Sequence, residues 1–377
     1  MKILFTVRSL NIGGTERQIL SMSNMLIKYG HEVEIARIYP NGDLEKNTDI
    51  TLHDLSKNFF RRAFDIRNLF INGNYDVVYS FLPNMNLFSS LVAKTINKRK
   101  LPKIIWGIRS SSLDPNDYTK KVRFIYRLEK LFSGSPDLII TNSDAALHEY
   151  IEKGFPRKKI FTIPNIINHN YFKNISSEKM SVYQEFEIPN NMKLIGVFAR
   201  IHPMKDHMNL LRAIKLINET KNIYKNKISL ICVGGVAVKE VKSHYYKNLL
   251  EFSNLNLNVK WISERQDIPR LMSACDLTVL PSDSGEGFPN SIAESMSCEI
   301  PIVATNIGDS KKIISSFGKI VPIKDPQSLS NSILEILEMD ENTIKKTSSE
   351  GRKSIINRFS EKVIYNNLMS VLNKNTK

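Results

Sequence analysis

Only three cysteines occur in 377 residues, Cys232, Cys275 and Cys298, and no two of them form a CxxC pair. That spacing argues against a disulfide framework and a thiolate metal site, and reduced, buried thiols in a cytosol are the simplest account. The seven histidines form no cluster with acidic residues, so no metal is expected. A Ser/His/Asp arrangement and a paired-carboxylate cluster are also missing, which argues against a hydrolase. No stretch of 18 apolar residues exists, so no helix is expected to cross a membrane. The opening Lys2-Ile-Leu-Phe-Thr-Val7 is too short for a signal-peptide core, runs at once into Arg8, and reads as a buried strand. The full GxGxxG fingerprint is absent too: Gly13-Gly14 is a glycine turn at a helix start, without dinucleotide-binding spacing.

Acidic residues are scarce beside basic ones, 38 against 53, for a formal charge of +15. The excess leans toward 1–178. A basic surface suits an anionic partner. Zinc-finger spacing and a Gly/aromatic RNA motif are both missing, so nucleic acid is not an expected partner. An acidic membrane face and a merely solvated basic surface both remain open.

What is present is alternation. Apolar strand-like runs at 2–7, 33–38, 50–55, 76–82, 103–107, 137–140 and 159–163 are separated by helical patterns, one from about Thr15 to Tyr29. A second series follows: Leu194 to Phe198, Ile228 to Val233, Val259 to Ile262, Leu277 to Leu280, Ile302 to Ala304 and Ile320 to Val321. Such alternation predicts α/β architecture, with two parallel-sheet, Rossmann-like domains and a cleft between them. The expected division is 1–178 and 179–358, with residues 166–192 as linker and a terminal helix, 359–377, returning to the first domain.

The stretch Ser282 to Thr305, SDSGEGFPNSIAESMSCEIPIVAT, carries most of the chemistry. A Gly-broken loop follows an apolar run, and Phe288-Pro289 is read as opening a helix, with proline at the first helical position. Strand, loop, helix and strand make one crossover unit, with its loop at the carboxyl end of a strand, where open α/β sheets bind ligands. Unpaired N–H groups at the helix start can hold a phosphate. A carboxylate beside a diphosphate is repelled by it, so Glu286 and Glu294 are better employed as acceptors for neutral sugar hydroxyls. A solvated surface loop is the plainer reading of either glutamate alone.

Glu286-Gly-Phe-Pro-Asn-Ser-Ile-Ala-Glu294, followed by Pro301-Ile-Val-Ala-Thr, resembles the signature of the family 4 retaining glycosyltransferases, which have the GT-B fold. The resemblance implies that Glu294 holds the ribose and Glu286 lies near the donor sugar. It also implies that the backbone of Gly287 and Phe288-Pro289-Asn290 meets the diphosphate. Arg200 and Lys205 match the family's phosphate-binding pair, cations able to stabilise a departing diphosphate. The segment around Ile262, Ser263 and Arg265 resembles the one that contacts the nucleobase, with Ser263 where the family usually has glycine. Gly13 and Gly14 are a further candidate donor or acceptor contact. Many members carry a histidine where this chain reads Trp106-Gly-Ile-Arg109-Ser-Ser111, and Arg109 is the candidate substitute there.

The function so implied is a metal-independent, retaining transferase. It would move a hexose from a nucleotide diphosphate sugar, UDP-linked on this reading, to a glycan or polyprenyl-diphosphate-linked glycan, with no cofactor beyond the donor. A GT-B sugar-nucleotide epimerase and a non-catalytic sugar-nucleotide-binding scaffold are the alternatives. The stretch Tyr118 to Phe132 places Lys120, Lys121, Arg123, Arg127 and Lys130 on a helix, with Val122, Ile125, Leu128 and Phe132 as its other face. Lys94 to Lys103 adds a second basic cluster. The helix suits an anionic lipid surface, as well as ordinary core packing with solvated charges. Peripheral association with the inner face of the cytoplasmic membrane is expected, because the resembled family often builds glycans on lipid diphosphate carriers.

Overall fold

The computed structural model describes residues 1–11, 13–97, 101–109, 111, 119–235, 243–255 and 257–374. Ser110, Tyr118 and the basic run 98–100 lie outside the described residues. The chain divides into two units, Met1–Ile166 with Glu361–Lys377, and Ile167–Ser360.

The first unit runs β1 (Lys2–Ser9), α1 (Gly14–Lys28), β2 (Glu32–Tyr39), β3 (Thr51–Asp54), α2 (Phe59–Asn72), β4 (Val77–Phe81) and α3 (Pro83–Ala93). It continues with β5 (Lys103–Ile108), α4 (Lys120–Leu131), β6 (Leu138–Thr141), α5 (Asp144–Glu152) and β7 (Ile160–Thr162). The seven strands are parallel in the order β3-β2-β1-β4-β5-β6-β7. Helices cover both faces, so β4 and β6 are buried throughout, as central parallel strands must be. Side chains alternate across the sheet. Ile3, Phe5 and Val7 pack with Ile19 and Met22 of α1 and with Ile364 and Leu368 of the chain's last helix. Leu4 points the other way, into a cluster with Ile66 and Phe70 of α2 and Met85 of α3.

The second unit begins with an irregular segment and α6 (Lys179–Glu185), then β8 (Lys193–Phe198), α7 (His207–Thr220), β9 (Ile228–Val233), α8 (His244–Ser253), β10 (Asn258–Ile262) and α9 (Ile268–Ala274). β11 (Leu277–Leu280), α10 (Asn290–Ser297), β12 (Ile302–Thr305), α11 (Ser310–Ile314), β13 (Lys319–Val321), α12 (Pro326–Leu337) and α13 (Glu341–Phe359) complete it. The last helix, α14 (Glu361–Lys374), belongs to the first unit. Six parallel strands lie in the order β10-β9-β8-β11-β12-β13.

Every apolar run read as a strand is a strand, because each is short, β-branched and bounded by turn residues. The first division falls at 166/167, earlier than the 178/179 expected. Specific contacts tie the intervening residues to the second unit: the Ile167 N–H donates to the Phe359 carbonyl at 2.9 Å, and the Ile175 N–H donates to Ser273 Oγ at 3.0 Å. Such single contacts leave no periodic signature. Within the expected linker, α6 buries Val182 and Tyr183.

Candidate functional site

In each sheet the strand order reverses once, between β1 and β4 and between β8 and β11. Loops at the carboxyl ends of strands flanking such a reversal diverge to opposite faces and leave a crevice. In the second unit that crevice is bordered by residues 199–206 and 281–289. The two loops are joined by the Asp283 N–H, which donates to the Met204 carbonyl at 3.0 Å.

Lys205 ends a short 3-10 turn, Pro203–Lys205, and Asp206 follows with φ +40°, its carboxylate accepting from the Asn209 N–H at 3.2 Å to cap α7. This fixes the direction in which Lys205 leaves the backbone. Its Nζ lies 2.5 Å from Glu286 Oε1, and Ser282 Oγ donates to the same oxygen at 2.9 Å. The side chains are only 19% and 10% exposed, so the pair attracts more strongly than one in open water. Thr305 Oγ1 donates to the Ser282 carbonyl at 2.6 Å and pins the loop from behind. Gly308 (φ +52°) lies so close that a Cβ would sit 2.5 Å from both the Glu286 and Gly287 carbonyl oxygens. Only glycine permits that backbone conformation and that approach.

α10 starts one residue later than the sequence suggests: Pro289 is the N-cap, with extended φ and ψ, and Asn290 the first helical residue. The helix start still opens beside Glu286. Phe288 is buried edge-on against Phe359, with ring centroids 5.0 Å apart. Glu294 is buried in the second turn, and so is Pro289 beside Gly287. Arg200 is exposed on the loop after β8.

Ile262 ends β10 and is buried, and Ser263, the next residue, is exposed. The Ile262 carbonyl accepts from the N–H groups of Gly234 and Gly235 at 3.2 and 3.3 Å. These glycines have φ of +148° and +68°, and a Cβ on Gly234 would meet the Ala199 carbonyl oxygen at 2.5 Å. They hold the loops after β8, β9 and β10 together, and were missed because a Gly-Gly pair alone predicts only a turn. Arg265 is committed elsewhere. It grips Asp267 with two hydrogen bonds of 2.8 Å and Glu185 at 2.9 Å, and the Asp267 bond leads the causes that raise its pKa.

The first unit's crevice is built differently. Gly13 caps α1 in an extended conformation, and Glu16 lies over it, its Oε2 2.2 Å from where a Cβ on Gly13 would stand. Gly14 opens the helix. Across the reversal, Leu82 takes φ +74° before α3. Arg109, just after β5, lies over the Phe81 ring at 4.9 Å and donates to Asn165 Oδ1 at 3.1 Å and to the Tyr79 hydroxyl at 3.5 Å. Its Nε makes no hydrogen bond, and burial lowers its pKa. The structure thus unites Lys205, Glu286, Gly287, Phe288, Pro289 and Asn290 at one crevice, and Gly13, Gly14 and Arg109 at another.

Two titratable groups escaped the sequence reading. Glu129 of α4 is buried, its pKa pushed up to about 7 by burial against the opposing Asn86 hydrogen bond (2.8 Å) and Lys153 charge. His207, at the start of α7, is buried without a hydrogen-bond partner, its pKa lowered to about 3 by burial and by Lys205. On α4, Lys120, Lys121, Arg127 and Lys130 are exposed and Arg123 is half-buried. Ile125, Leu128 and Phe132 pack on the core, as in the ordinary-packing reading. Among the described residues no group of three His, Cys, Asp or Glu side chains can hold a metal, and no helix is long and apolar enough to cross a membrane.

Two parallel-sheet units with these crevices define a GT-B fold. The structure of Anabaena Alr3699/HepE in complex with UDP-glucose superposes with a TM-score of 0.84 at 22% identity, covering 99% of this chain and 100% of that one. Sucrose-phosphate synthase from Thermosynechococcus elongatus gives 0.80 at 14% identity, covering 99% and 98%. Residues 12–171 match the Glycosyltransferase Family 4 model and residues 181–354 the Glycosyl transferases group 1 model, and the chain belongs to the family 4 glycosyltransferases. A Campylobacter jejuni relative, N,N'-diacetylbacillosaminyl-diphospho-undecaprenol alpha-1,3-N-acetylgalactosaminyltransferase, is 29% identical over 75% of this chain and 72% of its own. The Escherichia coli UDP-Gal:alpha-D-GlcNAc-diphosphoundecaprenol alpha-1,3-galactosyltransferase is 21% identical over 76% and 72%. The capsular polysaccharide biosynthesis glycosyltransferase CapM of Staphylococcus aureus is 22% identical over 91% and 86%. Glycosyl transfer is therefore the function of this chain, and relatives that carry it out include enzymes of polysaccharide synthesis.

Proposed function

We propose that the enzyme is a retaining, metal-independent hexosyltransferase that takes its sugar from a UDP-linked donor and adds it to a lipid-linked glycan. It would act at the inner face of the cytoplasmic membrane. The observation that carries the donor assignment is the largely shielded Lys205–Glu286 pair at the second unit's crevice, beside the start of α10. A bound diphosphate takes over Lys205, with Arg200 as second cation and the N–H groups from Gly287 to Asn290 completing the phosphate contacts. Glu286 then accepts from a hexose hydroxyl, and Glu294 from the ribose. Ile262 and Ser263 meet the nucleobase through their backbone, while the Arg265 side chain holds that segment to Asp267 and Glu185.

As the C1–phosphate bond breaks, negative charge grows on the departing phosphate oxygen, where Lys205 and Arg200 offset it. These fixed cations supply the charge that a divalent ion provides elsewhere, which supports a metal-independent reaction with no further cofactor. The acceptor hydroxyl attacks C1 from the face the phosphate leaves, and its proton passes to that phosphate, so configuration is kept. Within the first unit, Arg109 and the Gly13-Gly14 turn are the candidate acceptor contacts. Glu16 already supplies an anion at the start of α1, so a neutral acceptor hydroxyl suits that turn better than a phosphate. The relatives' undecaprenyl-linked substrates support a lipid-linked acceptor.

Incubation with radiolabelled UDP-hexoses, an undecaprenyl-diphosphate-linked sugar and excess chelator tests the reading. Label should enter the organic phase as an axial glycoside, identified by its anomeric C–H coupling. An inverted product, a chelator-abolished reaction, or only a 2-epimer of the donor would each contradict it.

A further inference from the structure

The first unit exposes aromatic rings that its fold does not need. On α2, Phe60 is 81% exposed and Phe64 61%, one helical turn apart on a single face. On α4, Phe124 is 57% exposed and lies one turn after Lys120. Each helix contains one acidic residue, and neither acid is directed outward: Asp65 accepts from the Ser56 N–H at 2.9 Å, and Glu129 is buried. Lys57, Arg61 and Arg67 around α2, and Lys120, Lys121 and Arg127 on α4, are all exposed. Arg62 is not among them, since it is folded onto the Ser56 and Lys57 carbonyls.

The two helices share a face of the sheet, with α3 between them and touching both. Each follows a strand of a parallel sheet, so each begins at the strands' carboxyl end, the end that holds Gly13 and Arg109. At that same end Tyr39 is 42% exposed, flanked by the Arg8 guanidinium at 5.5 Å and the Lys57 ammonium at 5.6 Å from its ring. At this end the exposed Asp54 is paired with Arg37 at 3.0 Å, and the acids of the two helices are bonded or buried. Aromatic rings among an excess of cations match one chemistry, a lipid headgroup layer carrying negative charge. Rings reach the acyl boundary while the cations remain with the phosphates.

We infer that Phe60 and Phe64 of α2, with the basic face of α4 about two interhelical spacings away, roughly 20 Å, form a docking surface for an anionic bilayer. This sets the first unit's crevice against the membrane that carries a lipid-linked acceptor. The inference rests on the lipid-acceptor reading above and adds to it the surface and its apolar anchor, which lies on α2, outside the basic helix expected from sequence.

The test is the fluorescence of Phe60→Trp with vesicles of phosphatidylcholine alone or with about 30 mol% phosphatidylglycerol. Emission should shift to the blue and be quenched by brominated lipid only with the anionic vesicles. Phe60→Ser with Phe64→Ser, and separately Lys120→Glu with Lys121→Glu, should each lower the vesicle-bound fraction about tenfold. Both pairs are exposed, and an unchanged melting temperature and UDP-induced shift confirm intact variants. Emission unmoved by either vesicle overturns the inference, as does loss of self-association or of RNA capture in the serine variant with vesicle binding intact. A UDP response without vesicle binding removes this surface alone, whereas vesicle binding without any nucleotide response removes the transferase reading and leaves the surface standing.

Discussion

The two crevices occupy equivalent places in two similar sheets and are held in opposite ways. In the second unit the backbone does the fixing: Gly308 lies so close that a Cβ there would stand 2.5 Å from the Glu286 and Gly287 carbonyl oxygens, Thr305 pins Ser282, and Lys205 meets Glu286. In the first unit side chains do it, with Arg109 caged by Phe81, Asn165 and Tyr79, and Gly13 covered only by the mobile end of Glu16. A donor keeps one diphosphate whatever its sugar, so a rigid frame suits it. Acceptors differ in shape, and a crevice lined by side chains can be changed one residue at a time.

The largest expected difference lies in Lys205→Ala, which should lower kcat/KM about a thousandfold, as loss of a buried transition-state charge contact does. Arg109→Ala should cost about tenfold and leave UDP binding unchanged; equal losses in steady-state kinetics would erase the contrast. Gly308→Ala should destabilise the protein by about 3 kcal/mol in urea titrations, because both its φ and the facing carbonyls resist a methyl group. Gly13→Ala should cost under about 1 kcal/mol, since only the Glu16 side chain must move.

A smaller effect concerns Glu129. Its pKa is raised from an ordinary glutamate value to about 7, so the folded state holds a proton that the unfolded chain has released above its own, lower pKa. The stability associated with the neutral acid is therefore complete below the unfolded value and is lost as pH rises through 7. Glu129→Gln should raise the melting temperature at pH 8, by the equivalent of about 2–3 kcal/mol, and change little at pH 4.5. Equal shifts at both pH values would show that Glu129 has the same pKa in the folded and unfolded chain.

Legibility follows the same division. The alternating strands and the loop-and-helix unit from Glu286 to Glu294 could be read directly, because strand burial and a helix start after a Gly-broken loop both require particular residues in a contiguous run. Gly234, Gly235 and Gly308 could not, since their roles lie in positive φ and close backbone approach, which have no local signature. Arg109 could be singled out, but its partners Tyr79 and Asn165 come from distant strands and loops. Glu129 sits in a run of basic residues that reads as a solvated face, and only the packing of α3 on α4 shows that it turns inward.

The central claim, that the second unit's crevice holds a uridine diphosphate sugar, is tested most directly by thermal unfolding with a panel of nucleotides and UDP-hexoses. At about a hundredfold excess over Kd, a ligand of the folded state adds about 2.7 kcal/mol, a rise of several degrees. UDP and one UDP-hexose should give that rise, and both Lys205→Ala and Glu294→Ala should lose it. No response to any nucleotide, or a response that survives in both variants, would contradict the account.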